Sequence, residues 1–97
     1  MFVVIWEYEV RAGEDAAFEA LYGAEGAWVE LFRAYDGYVG TELLRGTGRH
    51  YLSIDRWASA AAYEAFLVAA QPRYAAIDEQ GDALTLSERR VGAYTTP

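Results

Sequence analysis

The hexapeptide Ala16-Ala17-Phe18-Glu19-Ala20-Leu21 returns forty-five residues later as Ala61-Ala62-Tyr63-Glu64-Ala65-Phe66, each time behind a run of β-branched and aromatic residues. Such an echo predicts two copies of one β-α-β unit. A solenoid is ruled out, because roughly three or more stacked repeats are needed to bury a continuous core. Two interleaved units instead predict the order β-α-β-β-α-β, an antiparallel sheet with both helices on one face, which is the ferredoxin-like α+β arrangement. The chain has 97 residues. That is enough for one domain, residues 1–97, and too few for a second core.

Local patterning fills in the order. Phe2 to Val10 reads as a strand rich in β-branched and aromatic residues. From Glu14 to Tyr35 the apolar spacing is helical, with one stripe at Phe18, Leu21 and Tyr22 and another at Trp28, Leu31, Phe32 and Tyr35. Gly23 and Gly26 lie between the stripes, and each costs about 1 kcal/mol relative to alanine inside a helix, so a break is expected around residues 23 to 27. Asp36-Gly37 turns the chain into a second strand, Tyr38 to Arg45, and Gly46-Thr47-Gly48 closes a hairpin to a third, Arg49 to Trp57. Ser59 is the expected N-cap of a helix carrying Tyr63, Phe66, Leu67 and Ala70, and Pro72 is expected to stop it. A shorter helical piece with Tyr74 and Ile77 precedes a fourth strand, Ala83 to Tyr94. The sheet face without helices would carry Val3, Ile5, Leu43, Leu52 and Ile54. An apolar face of that size predicts a partner, and self-association about a two-fold axis supplies one.

Charge and composition remove whole classes of function. The formal net charge is −7, and the eight basic residues are all arginines, scattered from Arg11 to Arg90. Nucleic-acid binding needs clustered positive charge to release counterions, and an anionic membrane repels such a chain. Cysteine is absent, which excludes disulfides, thiolate metal sites and a cysteine nucleophile. Met1 leads straight into a strand with no basic leader, and no apolar stretch approaches the roughly 20 residues of a membrane span, so a cytoplasmic protein is expected. Aromatics make up 15% of the chain, enough for some to line a site as well as a core.

The layout WEYEVRAG, a helix, GYVGTELLR, YLSIDRWASAAAYEAF and a final ERRVGAY strand resembles the antibiotic biosynthesis monooxygenase family of dimeric α+β barrels. The likeness runs over nearly the whole chain. Its most specific piece is Trp57 on the third strand, followed by a serine-bearing turn and an aromatic helix stripe. The resemblance implies a homodimer, and an activity among quinone-forming monooxygenases without cofactor or haem-degrading enzymes. For the haem-degrading branch it implies an Asn on the first strand, a Trp on the third and a His on the second helix. Only Trp57 matches: Trp6 stands at the Asn position, and no histidine lies between Tyr63 and Pro97. Haem ligation is therefore disfavoured, since a proximal imidazole is the usual iron ligand.

Strand alternation puts Tyr51, Ser53, Asp55 and Trp57 on one face of the third strand. The resemblance implies that Trp57 faces the helices, and the other three then do so too. Trp6 and Tyr8 would join from the first strand, and Trp28, Phe32, Tyr63, Phe66 and Tyr74 from the helices, making an aromatic cavity with few polar groups. Oxygenating an activated phenol or anthrone without a cofactor needs a dry aromatic slot, a group that moves one proton, and donors for the resulting oxyanion. Asp55 is the candidate base, and Tyr51 and Trp57, with Trp6, the candidate donors and walls. The competing reading of Asp55 is a cross-strand ion pair with Arg45, Arg49 or another arginine. For the aromatics it is plain core packing.

His50, the only histidine, adjoins the turn, and no carboxylate group shows metal-ligand spacing, so neither metal nor cofactor is expected. The leading expectation is a cofactor-independent monooxygenase acting on a hydrophobic aromatic small molecule. The alternatives are a non-catalytic dimeric module that binds a small ligand, and a cyclase or isomerase using the same pocket.

Overall fold

The computed structural model describes residues 1–97. Its elements are β1 (Phe2–Val10), α1 (Asp15–Tyr22), α2 (Ala27–Arg33), β2 (Tyr38–Arg45), β3 (His50–Trp57), α3 (Ala60–Ala69), α4 (Gln71–Asp82) and β4 (Thr85–Thr95). The strands make one antiparallel sheet in the order β2-β3-β1-β4, the order that two interleaved β-α-β units generate. The helices cover one face, and the core of Phe18, Trp57 and Phe66 lies between the layers.

The expected break in the first helical stretch is present, and Gly26 shows why. It is extended rather than helical as α2 begins, and a Cβ there would overlap the carbonyl oxygens of Leu21 and Ala20. Ser59 caps α3 as its residue type predicts, its Oγ accepting from the Ala62 N–H at 3.1 Å. Two expectations need correction. The helical piece after Pro72 is longer than α3, 12 residues against 10, because a proline in the first turn gives up only an N–H that the helix does not use. The last strand starts at Thr85 rather than Ala83, because the Ala83 N–H still bonds back to Glu79 at the end of α4.

Strand register decides the two sheet faces. Val3, Ile5, Leu52 and Ile54 share the helix-free face as expected, but Leu43 does not. It pairs with Ser53 and packs against the core, while Leu44, opposite Leu52, takes its place. With two leucines side by side, alternation alone cannot choose between them, and only the pairing can. Tyr94, opposite Val3, extends the patch. Ion pairs Glu7–Arg89 and Glu42–Arg56, each at 2.7 Å, border it.

Candidate active site

The site is built from β3 outward. Ser53 and Asp55 face the helices beside Trp6 and Tyr8 of β1, and together with Thr41 and Glu88 they form the sheet wall of a cavity. Tyr22, Trp28, Phe32, Tyr74 and Asp78 form the helix wall. About 440 Å³ of empty space lies among them, counting the open mouth, but the centre of a water-sized sphere finds room in only about 40 Å³. The walls are therefore close together. The space open to a water-sized sphere is well below that of a drug-sized site, so the slot admits only a thin, flat group unless its walls part.

Asp55 is set in place by an irregularity of β2. Tyr38 pairs with Trp57 and Thr41 with Asp55, three residues apart on one strand but two on the other, so Val39 is bulged out. Without that bulge Tyr38 and Thr41 would point to opposite faces. With it, the Tyr38 hydroxyl donates to Thr41 Oγ1 at 2.7 Å, and Thr41 Oγ1 donates to Asp55 Oδ1 at 2.7 Å. No arginine reaches Asp55: Arg45 pairs with Asp15 and Glu19, and Arg49 Nε donates to the Val10 carbonyl. Burial pushes the Asp55 carboxyl up to about 6, against the opposing pull of the Thr41 hydrogen bond.

The rest of the cavity supplies neutral hydroxyls and unpaired groups. Tyr8 and Ser53 share a buried hydrogen bond of 3.0 Å, and burial holds the Tyr8 phenol well above its ordinary value, hence protonated. The Tyr22 hydroxyl and Trp28 Nε1 are buried close to each other, near enough for the indole to oppose the rise of the phenol but without a well-formed hydrogen bond. Tyr22 reaches its position because residue 81 is glycine, since a Cβ there would collide with its hydroxyl. At the α4–β4 end Glu88 stands exposed at the cavity mouth, and partial desolvation, then the nearby Asp78 and Asp82, push it up to about 7.

Seven of the residues expected in the site line this cavity: Asp55 and Ser53 from β3, Trp6 and Tyr8 from β1, and Trp28, Phe32 and Tyr74 from the helices. Four do not. Tyr51 is cut off by the Phe18 ring, which packs against both Tyr8 and Tyr51, and its hydroxyl donates to Glu19 at 2.6 Å and to Asp15 at 3.3 Å. Trp57 is wholly enclosed by Phe32, Tyr38, Tyr63 and Phe66, and its Nε1 has no partner. Tyr63 packs on Phe2 and Trp57, and Phe66 belongs to the core. Four lining residues escaped the sequence reading: Tyr22, Thr41, Asp78 and Glu88. Gly40 inside a strand was the available sign of the bulge that delivers Thr41, and Asp78 follows Tyr74 by one helical turn.

These features define a ferredoxin-like α+β domain with an aromatic cavity between its sheet and its helices. The chain belongs to the antibiotic biosynthesis monooxygenase family, whose sequence profile matches residues 1–76. Among solved structures, SnoaB from Streptomyces nogalater, a cofactor-independent oxygenase crystallised in a mutant form, superposes with a TM-score of 0.81 at 24% identity, covering 98% of this chain and 91% of SnoaB. The monooxygenase from the gene ActVA-Orf6 of Streptomyces coelicolor, solved with the ligand nanaomycin D, gives 0.79 at 23% identity over 99% and 87% of the two chains. Rv0793 from Mycobacterium tuberculosis gives 0.75 at 20%, over 99% and 94%. At these identities the likeness is one of fold. No curated protein is a recognisable relative by sequence. No helix is long and apolar enough to cross a membrane.

Proposed function

We propose that the protein is a cofactor-independent monooxygenase that oxidises a hydrophobic, anthrone-like aromatic or phenolic molecule in this cavity, working as a homodimer. The observation that carries this reading is Asp55, a half-buried carboxylate without a cationic partner, set in an aromatic slot and held by one hydroxyl. A carboxyl displaced to about 6 is suited to accept a proton near neutral pH. Family membership and the oxygenase relatives of the same fold support the reaction class.

For an anthrone, one substrate and one O₂ give one quinone and one water. Asp55 takes a proton from the methylene carbon, leaving an enolate whose oxygen would accept a hydrogen bond from a donor of the cavity wall, Tyr22 or Trp28 being the candidates. The enolate passes one electron to O₂, and the carbon radical and superoxide combine into a peroxide, which receives the proton back from Asp55. The O–O bond then breaks as the second methylene hydrogen leaves as a proton, and water and the carbonyl result. Oxygen uptake with anthrone, one O₂ per quinone formed, is the test. No uptake across a panel of anthrones and phenols, with binding retained, would favour the non-catalytic ligand-binding module. Turnover of such a compound without oxygen would favour the cyclase or isomerase.

The homodimer is argued from the helix-free face. Val3, Ile5, Leu44, Leu52, Ile54 and Tyr94 form an apolar patch between two charged borders, and a second copy would cover it. Light scattering at micromolar concentration should give twice the chain mass, and Ile54→Glu should halve it.

A further inference from the structure

Thr41 lines two spaces at once. On one side is the slot that holds Asp55; on the other is an open groove bordered by Val29, Arg33, Tyr38 and Val39, with about 300 Å³ open to water-sized spheres. Tyr38 borders the groove and not the slot, and Asp55 the slot and not the groove. The hydrogen bonds from the Tyr38 hydroxyl to Thr41 Oγ1 and from Thr41 Oγ1 to Asp55 Oδ1, each of 2.7 Å, therefore run through the wall between the two spaces. The bulge at Val39 is what turns both hydroxyls to the same side, and bulges beside reactive sites commonly serve to re-aim a side chain in this way.

A chain of hydroxyls can carry a proton while every oxygen keeps its place. With Asp55 ionised, both hydroxyls donate inward, Tyr38 to Thr41 and Thr41 to Asp55. A proton reaching the Tyr38 oxygen from groove water sends the Tyr38 hydrogen to Thr41 and the Thr41 hydrogen to Asp55 Oδ1. Three O–H bonds form, three break, and both hydroxyls end neutral. The reverse sequence takes a proton from Asp55 out to the groove. Burial raises the Tyr38 phenol, with its bond to Thr41 and the charge of Arg33 pulling the other way, so at neutral pH it has a hydrogen to give. A route through the wall matters because only about 40 Å³ of the slot admits the centre of a water-sized sphere, and a flat molecule seated there takes that room from water.

We propose that Thr41 and Tyr38 form a proton relay that connects Asp55 with solvent in the outer groove while substrate fills the slot. The inference rests on the reading of Asp55 as the base that takes the methylene proton. It adds that this proton is not confined to the slot, since it can be traded for one from the groove before it is handed back. Both residues act through Asp55, and neither has to touch the substrate.

Hydrogen exchange separates the relay from the reaction. Anthrone kept with the protein in D₂O without oxygen, at a pD of about 8 where Asp55 is ionised, should gain deuterium at its methylene carbon faster than in buffer alone. Oxygen uptake under air in the same buffer measures turnover. In Thr41→Val the ratio of deuterium entry to oxygen uptake should fall about tenfold or more, the order expected when a positioned proton carrier is lost. Tyr38→Phe should lower the ratio too, and Thr41→Ser, which keeps the hydroxyl, should restore it; thermal melts check that each variant is folded. A ratio unchanged in either Thr41→Val or Tyr38→Phe overturns the inference, even where both rates fall together, because the residue is then only a prop for Asp55. Wild type that consumes oxygen yet exchanges no faster than buffer also overturns it and leaves the proposed reaction standing. If wild type shows neither exchange nor uptake, the reading of Asp55 as the base itself fails and takes the inference with it.

Discussion

Tyr51 and Asp55 stand on the same face of β3 with only Ser53 between them along that face, yet they occupy opposite kinds of surroundings. Around Tyr51 two carboxylates, Asp15 and Glu19, share Arg45, whose side chain is 57% exposed, and the tyrosine hydroxyl bridges to both. Two negative charges there are half-offset by one guanidinium and partly open to water. Around Asp55 the carboxylate has a single hydroxyl donor, no cation and aromatic walls. The contrast separates what an acid does for a fold from what it can do for a reaction. A desolvated carboxylate with one weak partner sits near the point where gaining and losing a proton cost the same.

The sharpest way to break this contrast is to neutralise one acid at each end. Asp55→Asn should lower kcat for anthrone oxidation by about 10²- to 10⁴-fold while leaving ligand affinity nearly unchanged, because a base acts on the proton-transfer transition state. Glu19→Gln should leave kcat alone. Equal rates in the two variants would show that the two ends do not differ in chemistry.

The pH dependence sharpens the same contrast through two opposite slopes. Activity should rise with pH through an apparent value of about 6 as Asp55 ionises. Stability should move the other way. A carboxyl raised from 3.8 to about 6 holds more protons in the fold than in the unfolded chain; its stabilising contribution is complete below the lower value and is lost as pH climbs through the upper one. Glu88, raised from 4.5 to about 7, slopes in the same direction. Thermal melts from pH 4 to pH 8 should therefore show a fall in Tm with rising pH that is shallower in Asp55→Asn than in wild type. Parallel curves would mean that Asp55 titrates normally.

A smaller shift tests the link to β2. Thr41→Val keeps the shape of the side chain but deletes the hydrogen bond that draws the Asp55 carboxyl downward. The acid limb of the activity profile should move to higher pH, by roughly one unit or less. Tyr38→Phe, one bond farther out, should move it less. A shift to lower pH in Thr41→Val would contradict the assigned direction of that bond.

The topology was legible because the two halves of the chain each repeat strand periodicity followed by helical periodicity, and because Gly23, Gly26 and Ser59 punctuate them at positions where only certain backbones fit. The sheet wall of the site was legible for the same reason, since alternation along β1 and β3 carries Trp6, Tyr8, Ser53 and Asp55 to one face. Thr41 and Leu43 were not, because strict alternation fails across the bulge at Val39 and adjacent leucines leave the register open. Tyr51 and Trp57 show a different gap. Alternation places a side chain on a face, but it does not say whether a cavity or a neighbouring ring such as Phe18 or Phe32 meets it there. Glu88 and Asp78 become neighbours only once α4 and β4 are folded against each other, and nothing in their separate sequence surroundings announces it.

The smallest expected effect belongs to Arg45→Met. Exposed ion pairs contribute roughly 0 to 1 kcal/mol, because water and salt screen the attraction and holding a long side chain in place costs entropy. Arg45 fits that case, with contacts of 3.2 Å and 3.5 Å to two acids that are themselves partly exposed. Its loss should lower stability by about 1 kcal/mol or less in dilute buffer, and by still less in molar salt, with no change in kcat or in the pH profile. The Tyr51 phenol responds as well, since it is pushed up to about 12 by burial and by its bond to Glu19, with Arg45 pulling the other way. Removing Arg45 should raise that value further, which ultraviolet titration of the tyrosines can follow. A fall in turnover on removing Arg45 would show that the ionic end of β3 communicates with Asp55 after all, through the Phe18 and Tyr8 rings packed between them.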